Sequence, residues 1–326
     1  MPDPSAPNAI FRDREEFRSY HVGEQSAFWV LALFYGTAAV SILLTRFAVA
    51  LPYDVGLPIA IFAFVVIGWA QYSIGNGMHE AMHRNLLNHN DDRIASLIAA
   101  YPIGFTLAYR DTHFRHHRFL GTNRDPEYDL YTHFPQTKGE MVLRLIWFFS
   151  GIPAALQFLA QQRGAAATSA TKPRRYNEFI WLGLVQLLIF TLFFWLFGNP
   201  LYYFLFWILP IATVGKLLSS TRLLCEHGSP SQNWTVRTIT GSRWQTWILG
   251  AFDFNYHGEH HLFPSIPYAG LLRLHRAHHA YCEGHAEYVP FGGRFEFYHG
   301  GYLSLLVAWF RALPWRRPSV SVLRAG

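Results

Sequence analysis

Histidine, the commonest metal-ligating side chain, is crowded into three short stretches of this sequence. His79-Glu-Ala-Met-His83 sets two imidazoles four residues apart, and His113-Phe-Arg-His116-His117 and His257-Gly-Glu-His260-His261 both read H-x-x-H-H. Residues three and four apart share a helix face, so each stretch offers converging nitrogen donors. One cluster would be a moderate signal, whereas three in one chain point to a shared site. His227 is counted with them. It stands beside Glu226, about a turn past the fourth apolar run, at a depth matching that of His79 past the second. Nine imidazoles exceed one coordination sphere, so two ions are expected. All-imidazole ligation suits zinc, copper, iron or nickel rather than magnesium or calcium. Structural zinc usually takes four ligands with cysteine among them, but Cys225 and Cys282 are the only cysteines and form no C-x-x-C. A redox pair, most simply two Fe ions, is the expectation.

Metal-bound histidines pass their second N–H to a carboxylate, carbonyl or water. Glu80, Asp111, Asp125, Glu226 and Glu259, with Asn255, stand near enough in sequence to take that part. His275-Arg-Ala-His278-His279 repeats the H-x-x-H-H spacing, but Leu271, Leu272 and Leu274 alternate there with Arg273 and Arg276 and the stretch reads as a surface helix. The 257–261 cluster is preferred because Asn255 and Glu259 accompany it and Leu262-Phe-Pro264 closes it. His21, His89, His133, His285 and His299 stand singly and read as surface or structural.

The elements that must position these residues are apolar. The chain has 326 residues, 51% hydrophobic, 17% aromatic and 15% charged, against about 25% charged in soluble domains. Four runs approach the ~20 residues that cross a bilayer: about 27–49 and 57–78, then 179–197 and 201–222, each pair joined by a short turn. Segments 94–108 and 142–160 are apolar but interrupted by Pro102 and Gly104 or by Gly151 and Pro153, and read as interfacial helices. Residues 161–175 read as an exposed loop. The fold expected is an all-α membrane protein: four transmembrane helices in two hairpins, interfacial helices, and a helical cap holding a dimetal site. Residues 1–26 form a polar lead-in, 27–285 the membrane domain and 286–326 an amphipathic basic tail. The first apolar run is expected to be retained, because the residues before it contain no signal-peptide core.

The net charge of +6 does not point to nucleic acid, since the basic residues lie in the connections between spans, where topology places them. The turns 51–56 and 198–200 contain no Lys or Arg, although Arg46 sits just before the first. Termini and all three clusters are therefore expected on the cytoplasmic side.

H-x-x-x-H, H-x-x-H-H and H-x-x-H-H, each at a cytoplasmic span end, resemble the membrane fatty acid desaturase superfamily, which includes acyl hydroxylases and carotenoid hydroxylases and ketolases. The resemblance covers residues 30–280, and His227 fits the extra histidine drawn from the helix before the third box. It implies a non-haem di-iron centre that uses O2 on an unactivated C–H bond of a lipid held in an apolar tunnel. A fatty acyl desaturase is the first reading, with carotenoid ketolation or hydroxylation, or acyl or small-amphiphile hydroxylation, as alternatives. Gly121-Thr-Asn-Arg-Asp125-Pro-Glu127 looks like both acyl desaturases and carotenoid ketolases. Some relatives hold a water through an asparagine one turn before the extra histidine, a position occupied here by Leu223.

The sequence has no iron–sulfur motif, haem-attachment motif or dinucleotide fingerprint. An external electron donor is implied: a ferredoxin, a cytochrome b5-like protein or a flavoprotein reductase. Arg110, Arg115, Arg118, Arg124 and Arg174 form a basic face that would attract it. The rival from another class is a metal transporter or sensor, which would need ionisable residues inside its spans. Spans one to three have almost none, and span four offers Lys216 near its end. Replacing His116 or His260 by Ala is expected to abolish activity and lower bound iron, checked by iron analysis of the purified protein. Replacing His278 by Ala is expected to be tolerated.

Overall fold

The computed structural model describes residues 10–22, 24–86, 92–157, 159 and 174–316. Residues 161–173 of the expected exposed loop, His89 and the last ten residues of the basic tail lie outside them. After a one-turn helix α1 (Arg14–Arg18), the chain forms a hairpin of α2 (Glu24–Ala48) and α3 (Tyr53–Met82). Short helices follow: α4 (Asp92–Ala95), continuing through a π turn at Ser96–Ala100, then α5 (Arg110–Phe119), α6 (Tyr128–Thr132) and α7 (Lys138–Phe149). The second hairpin pairs α8 (Arg174–Phe197) with α9 (Leu201–His227). The cap is completed by β1 (Val236–Ile239), α10 (Arg243–Leu249), α11 (His257–Leu262), α12 (Tyr268–Gly284), β2 (Phe295–Tyr298) and α13 (Tyr302–Ala312).

Among the described residues four helices are long and apolar enough to cross a membrane, as expected. Leu43, Phe62, Leu187 and Trp195 point outward and exposed, a surface stable against hydrocarbon because a helix satisfies its own backbone polar groups. Two of the four run past the expected boundaries at their cap ends. α3 has 30 residues and α9 has 27. At 1.5 Å per residue they are about 45 and 40 Å long, against a hydrocarbon core of ~30 Å. The excess carries His79 and Glu80 on α3, and Glu226 and His227 on α9, as continuous helix into the cap. Both hairpin turns lie at the opposite ends of these helices.

The hairpins meet where α3 presents Gly68. A Cβ there would lie 2.6 Å from Val214 Cβ and 2.7 Å from the Pro210 carbonyl oxygen of α9, so only hydrogen permits this approach, the small-residue packing common between membrane helices. Pro210 has no N–H for the helical ladder, and α9 opens into π turns on either side of it, at Phe204–Ile208 and Ile211–Gly215.

The segment after residue 286 is no peripheral tail in its described part. β2 pairs in parallel with β1, Val236 opposite Phe295 through Ile239 opposite Tyr298. This small sheet was not expected from the sequence. α13 buries Tyr302, Leu305 and Trp309 against Leu224, Cys225 and Ile239, and Tyr302 Oη donates to Glu226 Oε1 at 2.8 Å. Two glycines in the hairpins separate packing from propensity. Gly68→Ala is expected to lower the thermal midpoint in detergent by the equivalent of about 1–3 kcal/mol, the usual cost of overpacking. Gly36→Ala on α2, which meets nothing within 4 Å, is expected to leave it unchanged or higher.

Candidate metal centre

Four helix segments bring the imidazoles together: the end of α3 with its C-cap residue His83, the whole of α5, the last residue of α9, and α11. Two local features fix their ends. The carbonyls of the last α3 turn are capped by Arg110, which donates to Met82 O (2.7 Å) and Ala81 O (2.8 Å) and grips Asp92 with both terminal nitrogens (2.9 and 2.8 Å). Arg110 thus belongs to the cap's internal structure rather than to the basic face expected from the sequence. Asn85 Nδ2, just beyond, donates to the Pro264 and Ile266 carbonyls, tying the first box to the chain leaving the third.

Successive helix residues point about 100° apart, and residues i and i+4 about 40° apart. The H-x-x-H-H spacing therefore splits each box between two directions. His113 and His117 face one way with His79, His83 and His260, and these five offer nitrogens all within 4.8 Å of one another. His116 faces the other way, with His227 and His261 in a second such group. His257 joins that second group, its Nε2 2.7 Å from His227 Nε2 and its ring 4.4 Å from that of His261. Within the first group, His113 Nε2 lies 2.8 Å from His83 Nε2 and 3.0 Å from His117 Nε2. The two groups touch where the His117 and His261 rings stack at 4.2 Å. All nine histidines expected from the sequence are brought together, five and four.

The donor set fits metal ions. Burial, then mutual repulsion with neighbouring imidazoles, holds His113, His117, His257 and His261 well below the usual histidine range. Burial and the Arg110 charge lower His83 to about 3. Neutral imidazole is the form that ligates. Both ring nitrogens of His79 and of His261 are buried without a hydrogen-bond partner, a cost of several kcal/mol in a dry interior that coordination would remove. His116 is the exception. Burial lowers it, but the carboxylates of Glu127 and Asp125 outweigh burial and raise it.

The carboxylates divide. Asp125 does what was expected of it: both its oxygens lie 3.0 Å from His116 Nδ1, leaving Nε2 to face the second group. Tyr131 Oη donates to Asp125 Oδ2 at 2.5 Å and the Glu127 N–H to Oδ1 at 2.8 Å. The Gly121–Glu127 segment, ambiguous as a sign of substrate, is the loop that delivers this carboxylate. Glu226 Oε2 approaches His257 Nδ1 at 3.5 Å and Arg222 Nε at 3.3 Å. The carbonyl of Thr235 accepts from His227 Nδ1 at 3.1 Å, a partner no sequence pattern marks. Glu80 stands 3.8 Å from His79 Nδ1 and accepts the Tyr268 N–H at 3.0 Å. Asp111 is exposed on the first turn of α5. Asn255 is buried, and its backbone carbonyl accepts the Ile239 N–H.

Two expectations are overturned. Glu259 does not serve a box histidine: it accepts from Thr238, His275 (2.8 Å) and His278 (3.2 Å). α12 is amphipathic as expected, but His275 and His278 lie on its buried face with Leu271 and Leu274, and His278 is 0% exposed. This removes the reason for expecting His278→Ala to be tolerated. The spacing 271, 274, 275, 278 marks one helix face once histidine is admitted as a residue that can be buried.

Four spans carrying a cap in which buried imidazoles form two ion-sized groups define a class of membrane protein. Within it, the chain belongs to the fatty acid desaturase family, whose model matches residues 55–316. It is also similar to a dihydrorhizobitoxine desaturase of Bradyrhizobium elkanii, 29% identical over 242 residues. That match takes in 66% of this chain and 65% of the relative's length. Asp125→Ala is expected to weaken metal retention by about 10–100-fold, the usual cost of removing such a partner, measured by chelator competition. Tyr131→Phe is expected to do the same more mildly.

Proposed function

We propose that the protein is an O2-dependent membrane oxidoreductase that introduces a C=C bond into a fatty acyl lipid. In this reading His79, His83, His113, His117 and His260 hold one iron ion, and His116, His227, His257 and His261 a second. The observation that carries it is the five-and-four grouping of buried and half-buried imidazoles at the cap ends of apolar spans. Bound iron would supply O2 activation and hydrogen abstraction from an unactivated C–H bond. Desaturation then removes two hydrogens from the chain and, with two external electrons and two protons, reduces O2 to two waters. Asp125 and the Thr235 carbonyl hold His116 and His227 in the tautomer whose Nε2 faces inward. Arg222 sets a positive charge against Glu226, beside His257. Leu223 is half-buried and offers no amide to hold a water, so that feature of some relatives is absent from this reading.

The electrons come from a ferredoxin, cytochrome b5-like or flavoprotein donor. Arg115, Arg118 and Arg124 lie exposed on and just after α5, beside the half-buried His117, and would draw an acidic donor to that face. The histidines and termini face the cytoplasm, supported by the lysine- and arginine-free hairpin turns at the far ends of the spans. The Bradyrhizobium relative is named as a desaturase of dihydrorhizobitoxine, which favours a second reading, in which the substrate is not a fatty acyl lipid.

The test is expression in a host of defined lipids, with mass spectrometry of fatty acids, carotenoids and small amphiphiles, and iron analysis of the purified protein. New unsaturated acyl chains, dependent on O2 and reductant and slowed by salt, are expected. A hydroxylated or ketolated product would move the reaction, and an altered small amphiphile the substrate. Metal flux into liposomes without any oxidation would overturn the enzyme reading altogether.

A further inference from the structure

α11 has six residues, His257–Leu262, too few to hold a helix by itself, yet it aims three imidazoles, His260 at one group and His257 and His261 at the other. Its orientation must be imposed from outside. Glu259, between them, is fully buried. Its Oε1 accepts from His275 Nδ1 and His278 Nδ1 on α12, and its Oε2 from Thr238 Oγ1 on β1. Thr238 Oγ1 in turn accepts the Gly258 N–H at 3.1 Å. A Cβ on Gly258 would lie 2.4 Å from the Phe295 ring and 2.8 Å from Thr238 Oγ1, so α11 is pressed against the sheet as closely as a backbone can be. α12 is itself anchored at its first turn, where Glu80 accepts the Tyr268 N–H and Tyr268 Oη meets Ser26 Oγ at 2.6 Å.

We propose that His275 and His278 are positioning residues: through Glu259 they lock α11 and so set the aim of the third-box imidazoles in both groups. The histidines that look like a surplus fourth box would thus act one step behind the metal rather than on it. This rests on the two-ion reading above for its effect on metal, but the locking of α11 is measurable without metal.

Three variants test it: His275→Leu/His278→Leu, which removes both donors at similar bulk, His275→Asn/His278→Asn, whose amide N–H can sit where Nδ1–H does, and His279→Ala, a half-buried neighbour paired with exposed Glu283. In metal-stripped protein, amide hydrogen exchange over 257–262 is expected to rise ~10-fold or more in the Leu pair and to stay near wild type in the Asn pair and in His279→Ala, with the spans unchanged in all. In iron-loaded protein, chelator competition is expected to show iron held ~10–100-fold more weakly in the Leu pair, with an altered Mössbauer spectrum that the Asn pair restores. Wild-type exchange at 257–262 in the Leu pair would overturn the proposal whether or not the protein binds iron. So would equal damage in the Asn and Leu pairs, which would mark a packing role. A wild-type protein that binds no iron, with exchange raised as expected, would instead strike only the two-ion reading. If the Leu pair does not accumulate, Thr238→Val removes the third bond to the same carboxylate and is held to the same exchange criterion.

Discussion

The angle between neighbouring side chains on a helix governs this structure. Because consecutive residues diverge by about 100°, the neighbours in His116-His117 and in His260-His261 cannot turn to one point, and each pair instead straddles the two groups. In the second box the i, i+4 pair His113 and His117 belongs to the group of five and His116 to the other. In the third box the arrangement is exchanged: His257 and His261 belong to the group of four and His260 crosses to the five. The two boxes therefore interleave, and the His117–His261 stack at 4.2 Å is the seam. The group of five draws on the first hairpin and the cap, and the group of four on the second hairpin and the cap.

Holding nine desolvated imidazoles against one another is unfavourable, since buried nitrogens without partners retain their desolvation cost. The scaffold answers with length and with buried ionic contacts. α3 and α9 continue as helix past the hydrocarbon, so the histidines they present are fixed to the spans rather than to loops. Arg110 caps α3, and Arg222 and Tyr302 hold Glu226. The small parallel sheet supplies Thr238 and the close wall against which the third box lies. Glycine appears where two backbones must meet: Gly68 between the hairpins and Gly258 between the third box and the sheet.

The carboxylates show why proximity in sequence is a poor guide to partnership. Asp125 lies nine residues from His116 yet is its hydrogen-bond partner. Glu80 and Glu259 are each next to a box histidine, but neither hydrogen-bonds one: the first caps the opening turn of α12 and the second receives that helix's two histidines. A neighbouring residue on a helix faces elsewhere, so a carboxylate inside a box is badly placed to serve its own box.

The sequence by itself determined the nine imidazoles, the four spans and the family, because each is written in local spacing: i, i+3 and i+4 histidines, apolar runs of bilayer length, and turns too short for anything but a hairpin. It also located Asp125. It could not assign histidines to one group or the other, because that depends on how four helices are rotated relative to each other. Nor could it see that residues 295–312 pack into the cap, that Arg110 is an internal clasp, or that His275 and His278 face Glu259. Those contacts join elements far apart in the chain, and a buried polar partner leaves no periodic trace of its own. Tertiary packing alone decided which of the many histidines touch a metal-sized space and which hold the helix that does.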